Sequence, residues 1–396
     1  MDDWHLARGY RFAGVHSGLR PDPDRRDLAL VISDVPAAAA GVFTQNRVCA
    51  APVHVCRERL PMNDARGVVI CSGNANACTG QRGMDDARRM TAVAGEAIGC
   101  RPEQILVCST GVIGRHLPMR IIETGIRAAA RQLDATPSAL DAVAHAILTT
   151  DTRTKVSTRE VHCDNSAVRI TGFAKGAAMI GPNMATLLAF VLTDASVSAD
   201  DLSTLVRRAA ERTFNCVSVE GHTSTNDTLL LFANGGGAKL QGDDFNRYGQ
   251  AVTAVCADLA KDMAADAEGA SHLVIIDVEG LRDDSEARRV AKAVAESALV
   301  KTAIFGADPN WGRIVSAAGY AGVEFQEEQL SLWLDDMLLY EAGIPQPFHS
   351  PTAAAYLKNN RDIHVRLRFT LGSGRCTVWT SDLTYDYVRL NAEYTT

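Results

Sequence analysis

IHVRLRFTLGSGRCTV, residues 363–378, alternates Ile363, Val365, Leu367 and Phe369 with His364, Arg366 and Arg368, turns through Gly372 and Gly374, and returns through Cys376 and Val378. Apolar residues two apart share one face of a strand, so the pattern predicts a half-buried antiparallel hairpin. Apolar runs in DLALVISD (27–34), RGVVICSG (66–73), EQILVCSTG (103–111) and HLVIIDVEG (272–280) predict further strands. Helical periodicity fills the intervals. Over 198–214, Ser198 can cap the first turn while Leu202, Leu205, Val206, Ala209, Ala210 and Phe214 fall on one face. Segments 120–133, 244–267 and 285–297 are Ala-rich, with charges opposite an apolar stripe. Helices mixed with both runs and a hairpin predict an α+β architecture rather than a uniform parallel sheet. Neither an internal repeat nor a Pro/Ser linker marks a domain boundary.

The 396 residues are 46% hydrophobic and 22% charged, which allows a large core and excludes global disorder. Forty Lys+Arg against 47 Asp+Glu give a net charge of -7 without a basic run, so no face is built to track nucleic acid. The opening MDDWHLARGYRF lacks a basic leader, and no apolar run reaches the roughly 18 residues a bilayer demands. The expectation is a soluble, cytoplasmic protein with no membrane partner. Ten cysteines, at 49, 56, 71, 78, 100, 108, 163, 216, 256 and 376, form no C-x-x-C pair. They read as free thiols rather than a disulfide or zinc framework.

The most unusual segment is KGAAMIGPNMATLLAFVLTDA, Lys175 to Ala195. Small residues and Gly-Pro-Asn build a tight turn, and Thr186 opens an apolar run suited to a central buried strand. Were the Ala185–Thr186 bond broken, Thr186 would carry a hydroxyl nucleophile together with its own base. An α-amino group titrates at roughly 7.7–8.0 and can accept the hydroxyl proton. The competing reading is a loop-to-strand junction with Thr as an ordinary β-former. STGVIG (109–114) closes a strand, and Gly111 permits the close backbone approach of an oxyanion hole, with its N–H and the Thr110 hydroxyl as donors. CSGNANACTG (71–80), LTTDTRTK (148–155) and SVEGHTSTND (218–227) are dense in hydroxyls, amides and Gly, either for turn geometry or for a polar ligand. GADPNWGR (306–313) reads as structural support, with Trp311 buried beside a turn. A phosphate-binding G-x-x-x-x-G-K-[ST] loop, a G-x-G-x-x-G fingerprint, H-E-x-x-H and a G-x-S-x-G elbow are all missing from the sequence.

Taken together, these segments resemble the ornithine acetyltransferase (glutamate N-acetyltransferase) family over nearly the full length. The likeness is carried by residues 27–53, SGNANACTG, STGVIG, LTTDT, the K-G-x-x-M-I-x-P-N-M-A-T pattern ending at Thr186, TSTND, AEGA (267–270), GADPNWGRI and the terminal DLTYDYVRLNAEYTT (382–396). The resemblance implies a layered αββα-type sandwich of the ornithine acetyltransferase and β-aminopeptidase-like class, with a smaller C-terminal α/β portion. Self-cleavage between Ala185 and Thr186 would give an α chain, 1–185, and a β chain, 186–396, in one folded unit that pairs into a dimer of αβ pairs. Thr186 would be the nucleophile, Thr110 and Gly111 the oxyanion hole, and Thr149, Lys175, Thr186, Glu268, Asn391 and Thr396 the substrate pocket. The implied activity is ping-pong acetyl transfer from N-acetylornithine to glutamate in arginine biosynthesis, without cofactor or metal; acetyl-CoA is a second donor in bifunctional members.

Two departures stand out. Ala177 and Ala178 follow Lys-Gly where the family usually has Ser-Gly or a similar pair, and His222 stands where Asp is common. The alternatives are an N-terminal-nucleophile peptidase, which deacylates with water instead of an amine, an N-acyltransferase paralogue of specialised metabolism, and a catalytically silent, uncut homologue.

Overall fold

The chain, described by a computed structural model over residues 4–163, 166–181 and 187–393, opens with β1 (Tyr10–Val15) and β2 (Leu28–Phe43). The run expected at 27–34 is the first half of β2, which continues through four buried alanines, Ala37–Ala40. There follow α1 (Ala51–Arg59), β3 (Met62–Asn74), α2 (Gly80–Ile98), β4 (Ile105–Val112), α3 (Met119–Ala130), α4 (Pro137–Ala146), β5 (Lys155–Cys163), β6 (Ser166–Lys175) and β7 (Leu188–Thr193). Next come α5 (Ala199–Arg212), β8 (Val217–Ser218), β9 (Thr228–Ala233), α6 (Gly242–Ala265), β10 (Leu273–Leu281), α7 (Asp284–Glu296), α8 (Ala298–Phe305) and α9 (Trp311–Gly319). The chain ends with β11 (Leu330–Leu334), β12 (Met337–Glu341), β13 (Ile344–Pro345), α10 (Ser350–Asn359), β14 (Asp362–Phe369), β15 (Gly374–Ser381) and α11 (Tyr385–Glu393).

Among the described residues these strands form two sheets. The first runs β4-β3-β2-β9-β7-β6-β5 with β1 on β2; the second runs β13-β12-β11-β14-β10-β15-β8. Period-two alternation decides which layer each side chain joins. On β7, Leu188, Phe190 and Leu192 face the core under α1 to α4, whereas Ala189 and Val191 face the one shared with α5 and α6. On β10, Leu273 and Ile275 enter that same middle core, while Val274, Ile276 and Val278 face α7, α8 and α9. The result is a layered α+β sandwich of two sheets, with α5 and α6 packed between them and the second sheet forming the C-terminal portion. None of the described helices is long and apolar enough to cross a membrane.

The helix expected at 198–214 is α5, and the Ser198 side chain accepts the Asp201 N–H at 3.2 Å as its cap. The expected hairpin is not formed. β14 and β15 flank β10 instead of pairing with each other, β14 parallel to it and β15 antiparallel. Alternation reports which face a strand buries, not which strand lies beside it. The connection passes over the end of β10, where the Leu371 and Gly372 N–H groups both donate to the Gly280 carbonyl at 2.8 Å. Gly280 makes this crossing possible: at φ +84 it accompanies a register shift, and a Cβ there would stand 2.0 Å from the Phe369 oxygen.

Candidate active site

β3 and β4 run parallel and end side by side, Gly73 opposite Gly111. Gly111 has φ +127, and a Cβ on it would lie 2.4 Å from the Gly73 carbonyl carbon, so only Gly lets the two strand ends approach. The preceding residues are fixed by Asn226, whose buried amide donates to the Ser109 carbonyl at 2.8 Å and to the Ala75 carbonyl at 2.7 Å. Thr110, itself buried, is therefore held on a rigid strand end. Gly111 opens onto a cleft of about 390 Å³ whose other side carries Thr149 and Thr150, with Arg20, Arg25 and Arg115 around it. The Arg25 guanidinium donates to the Thr149 carbonyl at 2.9 Å.

Thr149 leads into a buried charge cluster. Its N–H donates to Asp151 Oδ2 at 3.1 Å, and the Gly176 N–H donates to Asp151 Oδ1 at 2.6 Å. Lys155 Nζ donates to Asp151 at 2.8 Å and to Asp266 at 2.6 Å, and Lys175 Nζ lies 3.8 Å from Asp151 Oδ2. Two ammonium groups thus meet two carboxylates, which balances charges that would otherwise be costly to bury. Burial pushes the Asp151 carboxyl up, but the charges of Lys175 and Lys155, with hydrogen bonds from Lys155 and Gly176, hold it well below the usual carboxylate range. Burial lowers Lys175, opposed by Asp151 and reinforced by Lys155.

Lys175 is the last residue of β6 and pairs with Leu188, the first of β7. The connection carrying the Ala185–Thr186 junction thus leaves and returns at one point. Ala185 and Thr186 lie outside the described residues, but both flanks are anchored. Ile180 O accepts the Val219 N–H at 2.7 Å, Ala177 O accepts the Glu268 N–H at 2.9 Å, and the Leu187 N–H donates to Asp227 Oδ1 at 3.1 Å. Asp227 is fully buried, its Oδ2 has no hydrogen-bond partner among the described residues, and burial pushes its carboxyl well up despite the Leu187 N–H and the Lys175 charge.

The far side is built by α11 seated on the turn after α6. Asn391 Nδ2 donates to Glu268 Oε2 at 3.2 Å and to the Tyr387 carbonyl at 3.0 Å. Gly269, at φ +65, leaves no room for a Cβ, which would stand 2.5 Å from the Tyr387 nitrogen. Burial, with the Glu268 charge adding to it, pushes the nearby Glu220 up to about 8. Among the described residues no group of three or more His, Cys, Asp or Glu is placed to hold a metal.

The ArgJ family model matches residues 11–396. The chain is 44% identical to arginine biosynthesis bifunctional protein ArgJ 1 of Nostoc sp. over the whole of both proteins, and 44% identical to the Geobacter sulfurreducens ArgJ over 98% of this chain and 99% of that one. The crystal structure of the ArgJ of Bacillus halodurans is similar at 39% identity and a TM-score of 0.50, over 52% of this chain and 98% of that chain. The chain belongs to the ArgJ family. It is accordingly an enzyme, a glutamate N-acetyltransferase (ornithine acetyltransferase) of arginine biosynthesis.

Against the sites expected of an ArgJ-family chain, the fold joins Thr149 to Lys175 through Asp151, sets Gly111 and Thr149 on one cleft, and bonds Glu268 to Asn391. Among the described residues no hydrogen bond links the Thr110–Gly111 pair directly to the Glu268–Asn391 pair. Thr396, like Thr186, lies outside the described residues. Ala177 is buried and contributes only its carbonyl, and His222 is exposed, so neither departure removes a contact described above. Arg313, in GADPNWGR, donates to the Leu299 carbonyl at 2.9 Å, and Trp311, half-buried at the start of α9 rather than buried, stacks on Tyr340. Sequence reasoning missed Asp151, Lys155, Asp266, Asn226, Asp227 and Glu220 as individuals. Five of the six stand in the polar stretches already singled out, where the signal was an unusual density of polar residues beside buried strands; Asp266 alone lies outside them.

Proposed function

We propose that this chain cuts itself between Ala185 and Thr186 and then transfers the acetyl group of N-acetylornithine to glutamate through an acetyl-Thr186 intermediate. The observation that carries this reading is the pairing of Lys175 with Leu188, which brings a buried ammonium group to the two ends of the connection containing Thr186. In self-cleavage the Thr186 hydroxyl attacks the Ala185 carbonyl, the amide becomes an ester, and water releases the α chain 1–185 from the β chain 186–396. The Bacillus halodurans crystal chain, matched over 98% of its length by 52% of this one, is in keeping with such halves. In transfer, the free α-amino group takes the Thr186 hydroxyl proton as oxygen attacks the acetyl carbon. The Thr110 hydroxyl and the Gly111 N–H receive the oxyanion. Ornithine departs with the proton, and the glutamate α-amine then attacks the acetyl ester.

Lys175 serves both half-reactions by pairing the α-carboxylate that donor and acceptor share, and Thr149 lines the same side. Glu268 faces the ornithine ammonium, while Asn391 and Thr396 orient the amide. The two chains then associate as a dimer of αβ pairs. The test is intact mass of the purified protein with and without N-acetylornithine. Two fragments and one acetyl increment on the fragment beginning at Thr186 are expected. A single unmodified chain would overturn the reading, and an acyl-enzyme that water clears as fast as glutamate does would replace it with the amidohydrolase alternative.

A further inference from the structure

We propose that Cys216 and Cys376 form a peroxide-reactive dithiol, a modification site in the second sheet that closes reversibly to a disulfide. The two sulfurs stand 3.7 Å apart although the residues are 160 positions apart in sequence. Parallel pairing of Val217 with Trp379 brings them together, because Cys216 directly precedes β8 and Cys376 lies on β15. Both line a cavity of about 530 Å³ that also carries Arg212, Arg288, Arg366 and Arg375, so a small oxidant can reach the pair. The Arg288 guanidinium lies beside both sulfurs, and its charge and hydrogen bonding favour a thiolate there.

Electrostatics divides the roles within the pair. A hydrogen bond from Cys376 lowers the Cys216 thiol, with Arg288 and Lys292 outweighing burial, whereas Cys376 is raised by the same bond. The positive charges of Arg288 and Lys292 beside Cys216 make it the nucleophile of the pair, with Cys376 the resolving thiol. The other cysteines differ. Burial pushes Cys71 and Cys256 up to about 12, and Cys56 and Cys108 are both buried, whereas Cys216, although buried as well, has the half-buried Cys376 beside it on the cavity.

In the reaction, Cys216 sulfur attacks one oxygen of hydrogen peroxide, the O–O bond breaks, and the departing hydroxide leaves as water after taking a proton from solvent. Cys216 becomes a sulfenic acid. Cys376 sulfur then attacks Cys216 sulfur, the S–O bond breaks, and the second hydroxide leaves as water with the Cys376 proton. Two thiols and one peroxide give one disulfide and two waters, two electrons passing from sulfur to oxygen. Closure to the disulfide distance of about 2 Å draws the sulfurs together from 3.7 Å and includes backbone adjustment ahead of β8, because Cys216 and Cys376 stand two positions off register.

The test treats reduced full-length protein with one equivalent of hydrogen peroxide, alkylates the remaining thiols and maps peptides without reduction. A dominant Cys216–Cys376 cross-link that dithiothreitol removes is expected. In Cys376→Ser, a dimedone adduct should accumulate on Cys216; in Cys216→Ser, thiol loss should slow by at least about tenfold. Alkylation of both cysteines after peroxide treatment of the unsubstituted protein, or first oxidation at another cysteine such as the exposed Cys78, would overturn the proposal. Both residues follow position 185, so the result is independent of whether the chain cuts itself.

Discussion

Asp151 holds two ammonium groups where its side chain and theirs are buried, and its charge is therefore a structural requirement. Its folded-state acidity is depressed, so its stabilising contribution is complete above about pH 5 and is lost progressively as pH falls toward the depressed value. Asp151→Asn should destabilise the chain by about 3–5 kcal/mol at pH 7, because it leaves Lys155 and Lys175 undercompensated. Urea unfolding at pH 7 and at pH 3 checks this: the gap between variant and parent should narrow at the lower pH, and an equal gap at both would mean that Asp151 is not the ionised partner. Lys175→Met should slow both half-reactions, since a carboxylate entering without its cation loses a charge-assisted bond of about 1.5–3 kcal/mol. Glu268→Gln should slow acylation by N-acetylornithine more than transfer to glutamate, whose side chain is itself anionic. Single-turnover kinetics of each step separates the two, and equal loss for Glu268→Gln would remove the ammonium assignment. Lys175 and Thr149 were legible in the sequence through the family pattern. Asp151 and Lys155 were not, because spacing shows that charges exist but not that a β-sheet and the end of α6 will bury them together.

Among elements, β4 ends in a glycine turn packed against the end of β3, and the proposed oxyanion role is tested there. Thr110→Ala should lower kcat by about 10²–10³ with binding less changed, as for one lost oxyanion donor; an unchanged kcat in cut protein would free Thr110 of that role. A quieter check concerns α5, whose start was read correctly because an N-cap signal and an apolar face are both local. Ser198→Ala should cost about 1 kcal/mol in thermal or urea unfolding and leave acetyl transfer untouched. The expected hairpin at 363–378 failed for the opposite reason. Ile363, Val365 and Leu367 would bury the same face beside either β15 or β10, so the choice of neighbour rested on β10, some eighty residues earlier, and on the Gly280 crossing. Period and caps are properties of a segment, whereas strand order is a property of the sheet.

For the whole molecule, the proposed cut falls in a sheet whose strand order makes separation difficult. Strands β7 and β9 come from residues after 186, yet they lie between β2 and β6, which come from residues before 185. β9 pairs with β2 from Ala38 to Phe43, and β7 pairs with β6 from Ile170 to Lys175. The two cores on either side of this sheet also draw side chains from both segments, Phe173 and Phe190 stacking at 5.0 Å in one and Ala40 meeting Leu231 in the other. Pulling the fragments apart would expose both cores and break two ladders of backbone hydrogen bonds at once, so cleavage of one peptide bond should not dissociate them. Cut protein is therefore expected to elute as one species in size-exclusion chromatography, to show two bands only after denaturation, and to unfold in one cooperative step. Thr186→Ala should elute at the same position and yield a single band. Fragments that separate in buffer without denaturant would contradict the interleaved sheet, and two fragments from Thr186→Ala, divided at this bond, would remove Thr186 as the agent of the cut.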